Sequence, residues 1–244
     1  MTSQHYLVFD IETNGLPFDS FDEARQEYLL RGAADDDERN KRIREMSLSP
    51  LTAQVICIGY MMMTATENGW EQEKLGVFAL DNAVEHGNIR SELPDGGRFI
   101  RCSEQQMLIY FWEMLRQFPQ AWLVSFNGRN FDAPFLMLRS AALGIRPSRN
   151  LMQGTKFNYS LHTDLLDELT FYTPQTAGAT RRYNFDFFTK SFGVASPKGE
   201  GIDGSKVGEF YAAGDLVSIA AYCLRDVRAT WELFLKWREF LDFR

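Results

Sequence analysis

Short apolar runs separated by polar turns are the main pattern of this 244-residue sequence. The longest run, residues 55–63, is far shorter than the roughly 20 residues that a bilayer-spanning helix needs. The residues before Tyr6 include neither a basic stretch nor the apolar segment of a signal peptide. The sequence therefore predicts a globular, cytoplasmic protein without a transmembrane helix.

Strand-like and helix-like segments follow one another along the chain, which favours an α/β fold. Ser103 begins a capping-box pattern that precedes a helix of about four turns. Asn68-Gly69 is a hairpin turn between two strands. The other predicted elements are strands at 6–9, 55–63, 75–80 and 121–126, helices at 131–143, 185–192 and 216–241, and loops at 81–98, 173–183 and 197–204.

Residues 22–45 differ from the rest of the chain because acidic and basic residues interleave there with few apolar ones. Such a pattern is typical of a solvated helical segment. We therefore predict a single domain over residues 1–244, with a charged helical insertion at about residues 20–48.

Charge and cysteine content restrict the function further. The 26 basic and 33 acidic residues give a net charge of −7, which disfavours a protein that binds duplex nucleic acid through clustered Lys and Arg. An acidic balance permits a metal-dependent enzyme, because bound cations supply positive charge locally. Cys57, Cys102 and Cys223 lack a second Cys or His at metal-ligand spacing, so we predict three free thiols.

Two acids, Asp10 and Glu12, follow the apolar strand 6–9. Residues two apart on a strand point to the same face, so we expect both carboxylates at one strand end, sharing one space. Two ionised carboxylates repel each other unless a cation lies between them, and hard oxygen ligands suit Mg²⁺ or Mn²⁺. Taken alone, this tripeptide is also typical of an ordinary acidic loop.

Two further patterns lie later in the chain. Residues 127–132, Asn-Gly-Arg-Asn-Phe-Asp, follow the strand at 121–126 and begin the next helix, where Asp132 also suits the helix dipole. Tyr222 and Asp226 are four residues apart on one face of the last predicted helix. The alternative to a functional pair is an ordinary pair of neighbours on an amphipathic helix.

Together and in this order, the three patterns resemble the motifs of the DEDD superfamily of 3′→5′ exonucleases, in its tyrosine-bearing branch. Phe9–Thr13, Phe126–Phe135 and Tyr222–Asp226 are most similar to the proofreading exonuclease domain of B-family DNA polymerases, in the form of stand-alone bacterial proteins. The similarity extends from Tyr6 to about Trp237. It implies an α/β, ribonuclease H-like fold with a central mixed β-sheet flanked by helices.

The resemblance also implies an activity: metal-dependent removal of nucleoside 5′-monophosphates from the 3′ ends of DNA, preferably single-stranded. By similarity, Asp10 bridges two divalent ions, Mg²⁺ or Mn²⁺. Glu12 and Asp226 each complete one metal site, Asp132 supports the second mainly through water, and Glu12 also approaches the terminal 3′-hydroxyl. Two such ions activate water and stabilise the attacking and leaving oxygens of a phosphodiester.

Tyr222 takes the position of the phenol that orients the attacking water in this branch. Positioning suits it better than proton abstraction, because the ordinary pKa of tyrosine is near 10. The sister branch has histidine five residues before the last aspartate, and here that residue is Ala221. His162 follows the second motif by thirty residues, so we expect it to be a core residue or a residue that supports the site.

By the same resemblance, a pocket for the terminal nucleotide includes the backbone of Thr13 and Asn14 and the side chains of Leu16, Asn127 and Phe131. Leu16 would wedge between the last two bases, and Phe131 would pack against sugar or base. A plain core role for Phe131 is the alternative.

Positive charge and one aromatic residue precede the last helix, at Arg181, Arg182, Tyr183, Lys198 and Lys206. These residues either guide a single strand or belong to a solvated loop.

Two other functions remain open at this stage. One is RNA 3′-end trimming by an enzyme related to ribonuclease D, which shares the same catalytic set. The other is a non-catalytic module that binds nucleic-acid ends. A polymerase or repair partner follows only by analogy.

Overall fold

A mixed seven-stranded sheet forms the centre of the fold in the computed structural model, which describes residues 4–196, 204 and 206–243. The strands are β1 (His5–Gly15), β2 (Ala53–Thr66), β3 (Gly69–Leu80), β4 (Ile89–Glu92), β5 (Arg98–Cys102), β6 (Trp122–Ser125) and β7 (His162–Asp164), in the spatial order β4-β5-β3-β2-β1-β6-β7. β2 pairs antiparallel with β1 and β3, whereas β6 pairs parallel with β1 and β7. β1 therefore lies inside the sheet.

Helices cover both faces of this sheet, and the alternation of β1 shows how. Phe9 packs against Phe111 on one face, whereas Tyr6 packs against Trp231 and Phe234 on the other. The helices are α1 (Glu23–Leu30), α2 (Asp36–Glu45), α3 (Glu104–Gln117), α4 (Asp132–Ala142), α5 (Leu165–Leu169), α6 (Phe185–Ser191), α7 (Val207–Ala212) and α8 (Leu216–Phe240). The predicted α/β fold with a mixed sheet flanked by helices is confirmed.

Most predicted elements appear close to their expected bounds. Ser103 accepts a hydrogen bond from the Gln106 backbone N–H and begins α3, as its capping-box pattern predicts. The hairpin between β2 and β3, the helices α4 and α6, and the long helix α8 are also present. The predicted turn at 197–204 falls almost entirely outside the described residues.

Two predictions about elements were wrong, and several short elements were missed. The strand predicted at 6–9 continues to Gly15, because antiparallel pairing with β2 persists beyond Asp10, with a bulge between Glu12 and Thr13. Residues 81–98 are not all loop, since they include β4, whose four residues are all exposed and show no apolar alternation. The short elements β5, β7, α5 and α7 were not predicted.

The charged segment forms α1 and α2, which have no buried residue. Asp22 and Asp35 cap these helices through side-chain oxygens that accept backbone hydrogen bonds. That this segment is an insertion in a single domain stays a prediction. Among the described helices, none is both long and apolar enough to cross a membrane.

Candidate active site

Asp10 and Glu12 lie on one face of β1, as predicted, but within the strand rather than at its end. One ligand atom from each of Asp10, Glu12 and Cys223 lies within 4.8 Å of the other two. Backbone pairing with β2 continues on both sides of these acids, so a sheet strand holds both carboxylates in place.

Close packing of α8 on the sheet brings the third motif to this face. Gly59 of β2 lies opposite Asp10 in the strand register. A Cβ atom at Gly59 would lie 2.8 Å from Cys223 Sγ and 2.9 Å from Val227 Cγ2, so only glycine permits this approach. Tyr222 and Asp226 lie on the same helix and are both 7% exposed.

Asp132, the first residue of α4, joins the cluster through a backbone contact with β1. Its Oδ1 atom accepts a 3.0 Å hydrogen bond from the Ile11 backbone N–H, midway between Asp10 and Glu12 in sequence. Gly128 permits the tight turn before α4, because a Cβ there would lie 2.3 Å from Ser125 Oγ. The second motif is thereby fixed against the first.

Asp164 holds the loop that precedes Asp132, and sequence reasoning did not identify it. Its buried carboxylate accepts hydrogen bonds of 2.8 Å from the backbone N–H groups of Asn127 and Arg129 and one of 3.0 Å from that of Leu166. Asn127 has a φ of +62°, a conformation that asparagine tolerates better than most residues. Asp164 therefore fixes the loop geometry that delivers Asp132.

Burial and mutual repulsion dominate the electrostatics of the cluster. Burial, followed by the charges of Asp132 and Asp226, raises the pKa of Asp10 well above its ordinary value. Burial and the same two neighbours raise the pKa of Glu12. Burial raises the pKa of Asp132 to about 7, although the Ile11 N–H bond opposes the shift. Ionising all four acids thus requires a compensating charge.

Tyr222 contacts this cluster through its hydroxyl group. The phenol hydrogen-bonds to the Asp226 carboxylate, and burial together with the nearby acids raises the pKa of Tyr222. The phenol therefore stays protonated at neutral pH, donates a hydrogen bond to Asp226 and keeps lone pairs that can accept a hydrogen bond from water.

A cleft of about 540 Å³ opens over the cluster. Asp10, Asp132, Tyr222 and Asp226 line it, together with the predicted substrate residues Asn127 and Phe131. Phe131 is half-buried and packs on Phe135, so its ring belongs both to the core edge and to the cleft wall.

The other predicted substrate residues lie at the end of β1, beyond Glu12. Thr13 Oγ1 donates a 2.7 Å hydrogen bond to the Ser47 carbonyl, and Leu16 is half-buried. Asn14 Oδ1 would lie 3.0 Å from a Cβ atom at Gly208, which places the Asn14 side chain against α7. A role for these residues in binding the terminal nucleotide stays a prediction.

His162 is a buried supporting residue, as expected. Its Nε2 atom lies 2.8 Å from Ser125 Oγ, and burial lowers its pKa to about 3, so the ring is neutral. The Ser125 hydroxyl also lies against Gly128. His162 therefore supports the turn before Asp132 through Ser125.

The three cysteines are free and buried, as predicted. The sequence did not predict that Cys223 lies beside the acid cluster, because linear spacing does not report tertiary contact. Cys223 Sγ lies 3.8 Å from Asp10 Oδ2 and 3.6 Å from the Asp10 carbonyl oxygen. Hydrogen bonding with Cys57, followed by burial, raises the pKa of the Cys223 thiol, which keeps it protonated.

Comparison with known proteins identifies the same kind of family that the sequence motifs resemble. A family model described as "Predicted 3'-5' exonuclease related to the exonuclease domain of PolB" matches residues 56–242. The matched region includes Asp132, Tyr222 and Asp226 and begins after Asp10 and Glu12.

Two relatives are much longer than this chain. DNA polymerase 1 of Sulfolobus acidocaldarius is 28% identical over 137 residues, which cover 54% of this chain and 15% of that protein. The structure of the family B DNA polymerase from Pyrobaculum calidifontis matches with a TM-score of 0.57 and 22% identity, over 98% of this chain and 25% of that chain. The structural likeness confirms the ribonuclease H-like fold.

Proposed function

Because the chain belongs to the family of predicted 3′-5′ exonucleases related to the exonuclease domain of PolB, we propose that it is a metal-dependent 3′→5′ exonuclease. The observation that carries the proposal is the convergence of Asp10, Glu12, Asp132 and Asp226, from three separate elements, beside Tyr222. Family membership supports exonuclease activity, and the acid cluster supports the dependence on metal.

The donor set fits hard divalent cations. Carboxylate oxygens are the ligands that Mg²⁺ and Mn²⁺ prefer, and burial together with neighbouring acids raises the pKa values of Asp10 and Glu12, which supports a site that a cation would stabilise. Asp10 would be shared between two ions, with Glu12 and Asp226 completing one site each and Asp132 supporting the second. Bound there, such ions make water more acidic and stabilise charge on the phosphate.

The protein's own groups would then position the reactants. The Tyr222 phenol, held by Asp226, accepts a hydrogen bond from water and orients it toward the phosphorus atom. Glu12, at the side of the cluster nearest the end of β1, receives the terminal 3′-hydroxyl. Asn127 and Phe131, which line the same cleft as Asp10 and Asp226, would bound the space for the last nucleotide.

The proposed substrate is the 3′ end of DNA, preferably single-stranded, with nucleoside 5′-monophosphates as products. The carboxylates of Asp10, Asp132 and Asp226 line the cleft, to which α4 and α8 both contribute. A terminal base pair must open before its phosphodiester reaches them, which costs a few kcal/mol by the logic of base extrusion. A polymerase or repair partner is proposed by analogy alone.

The test uses 5′-labelled single-stranded DNA, duplex DNA with a recessed 3′ end, circular single-stranded DNA and RNA of matched sequence. Each is incubated with Mg²⁺, Mn²⁺ or a chelator. We expect a ladder that shortens from the 3′ end, fastest for linear single strands, and no cleavage in chelator. Cleavage of the circle would contradict an exonuclease, and faster digestion of RNA would identify an RNA-trimming enzyme instead.

A further inference from the structure

Three side chains form a stack beside the catalytic cleft. The ring of Tyr183 lies parallel to that of Phe187, with centroids 4.0 Å apart and an interplanar angle of 9°. The Arg181 guanidinium lies 4.8 Å from the Tyr183 ring centroid. Phe187 is 50% exposed, although an apolar ring of this size is usually buried. The stack therefore presents aromatic surface to solvent.

The stack is held rigidly against the second motif. Phe126, which immediately precedes Asn127, packs on Phe185 at 4.9 Å and on Phe188 at 5.7 Å, so the first turn of α6 is anchored to the end of β6. Arg182 Nη2 donates a 2.8 Å hydrogen bond to Asn127 Oδ1. The stack and Asp132 thus share one structural support.

Backbone hydrogen bonds also order the loop that carries the arginines. The Arg182 N–H donates to the Gln175 carbonyl at 2.9 Å, and the Arg181 N–H donates to that of Gly178 at 3.1 Å. Residues 175–182 therefore fold back on themselves. This fold holds Arg181 within the stack and Arg182 next to it.

The cleft continues from the carboxylates to this stack. Arg182 and Tyr183 line the same cavity as Asp10 and Asp226. Asp186, also at this wall, forms an ion pair of 2.9 Å with Lys190, which reduces its repulsion of a phosphate. A chain that leaves the carboxylates along this wall meets Arg182 and Tyr183, and the Tyr183 ring leads to Phe187 and Arg181.

We propose that Tyr183 and Phe187 form a stacking platform for a nucleobase upstream of the scissile phosphodiester, and that Arg181 and Arg182 contact the phosphates that flank this base. The proposal rests on the function proposed above and adds a second binding subsite to it. Every base has a π face, so such a platform accepts any sequence. A guanidinium has five N–H donors, and Arg182 keeps others for phosphate after its bond to Asn127.

The first test measures binding without turnover. The dissociation constant of a fluorescent single-stranded oligonucleotide is measured by polarisation in Ca²⁺ for wild type, Phe187→Ala and Tyr183→Leu. Loss of one base stack should raise the dissociation constant about five-fold to 150-fold. Phe240→Ala is the matched control, because Phe240 is an exposed ring near Lys236 at the far end of α8, and it should bind as wild type does.

The second test identifies the base. A single abasic site is moved from the second to the sixth nucleotide from the 3′ end. In wild type, one position should weaken binding by the same factor as Phe187→Ala, and in Phe187→Ala that position should have no further effect. Unchanged affinity in both platform variants, or equal abasic effects in wild type and variant, would overturn the platform. An inactive wild type that still shows this pattern would refute the proposed exonuclease and leave the platform standing.

Discussion

Two of the places where this fold buries carboxylates differ in how the negative charge is balanced. Glu104, at the start of α3, accepts two hydrogen bonds of 2.8 Å from the Arg139 guanidinium and one of 2.8 Å from the Val55 N–H. Asp10 and Glu12 instead face other acids, and the charges of Asp226 and Asp132 add to burial in raising the pKa of Glu12. α4 contributes to both places, through Arg139 and Asp132.

The difference separates a structural from a functional use of the same residue type. The Glu104 carboxylate has its countercharge within the chain, so removing one partner leaves a buried charge alone. In the acid cluster, protonation or a bound cation would relieve the repulsion among Asp10, Glu12, Asp132 and Asp226. Strongly perturbed carboxylates in a cleft are a recognised feature of active sites.

The largest expected effect is the loss of activity in Asp10→Ala. Removal of an acid shared between two ions should lower turnover by on the order of 10⁴-fold or more, about 5.5 kcal/mol in activation free energy. The free energy of unfolding in chelator should not fall, because a repulsive charge is removed. Oligonucleotide cleavage and chemical denaturation measure the two effects, with Asp37→Ala in exposed α2 as control. Wild-type cleavage by Asp10→Ala would refute the assignment.

Arg139→Ala should have the opposite effect to Asp10→Ala, because it should lower stability and leave activity in place. The variant leaves the Glu104 carboxylate buried without its guanidinium, and breaking a buried pair typically costs about 3–5 kcal/mol of stability. Activity per folded molecule should persist at low temperature. Denaturation curves in urea measure the free energy of unfolding. A loss below about 1 kcal/mol would contradict the structural role assigned to the Glu104–Arg139 pair.

Tyr222→Phe sharpens the contrast within the cluster, because it keeps all four carboxylates and the ring packing. Losing one positioned hydrogen-bonding group should lower kcat by about 10²–10³-fold, by analogy with oxyanion-hole donors. KM should stay near that of wild type, because the interaction acts mainly in the transition state. Steady-state kinetics measure both constants, with Asp226→Asn as the comparison variant. Asp226→Asn should also require a higher metal concentration for half-maximal activity. Unchanged turnover with rate-limiting chemistry would contradict the role.

The smallest effect is a pH dependence of stability in chelator. The pKa of Asp132 is about 7 in the folded protein and 3.8 when unperturbed, so the folded state binds more protons between these values. The contribution of Asp132 to stability is therefore full below pH 4 and falls as the pH rises to about 7. We expect a lower Tm at pH 8 than at pH 5, by a few degrees.

Mg²⁺ should restore the Tm more at pH 8 than at pH 5, because protonated carboxylates bind cations poorly. Asp132→Asn is the control, and it should flatten the pH dependence. A Tm that rises from pH 5 to pH 8 in chelator would contradict the raised pKa of Asp132.

The sequence predicted the carboxylates because each motif is local and its secondary structure is easy to read. Asp132 begins a clear amphipathic helix, and Asp226 follows Tyr222 by one turn. Asp164 escaped notice because its strand has only three residues, too few to show periodicity. Its signal was the helix that begins directly after it, where an Asp suits the N-cap position.

Tertiary proximity explains the remaining omissions. Cys223 lies near Asp10 through packing of α8 on the sheet, and no spacing within the chain reports that contact. The Tyr183 and Phe187 rings meet across the start of α6, where a hydrophobic pattern alone would assign both to the core. β4 was missed because an exposed edge strand has no apolar side to mark it.

Gly59 has a consequence for the engineering of this protein. It carries no reactive group, yet the distance between the strand of Asp10 and the helix of Asp226 depends on its bare Cα atom. Even a methyl group there would act as a wedge and alter the spacing of ligands several residues away. Residue 59 therefore constrains the spacing between β2 and α8, and libraries that aim to change this spacing should vary it together with Cys223 and Val227.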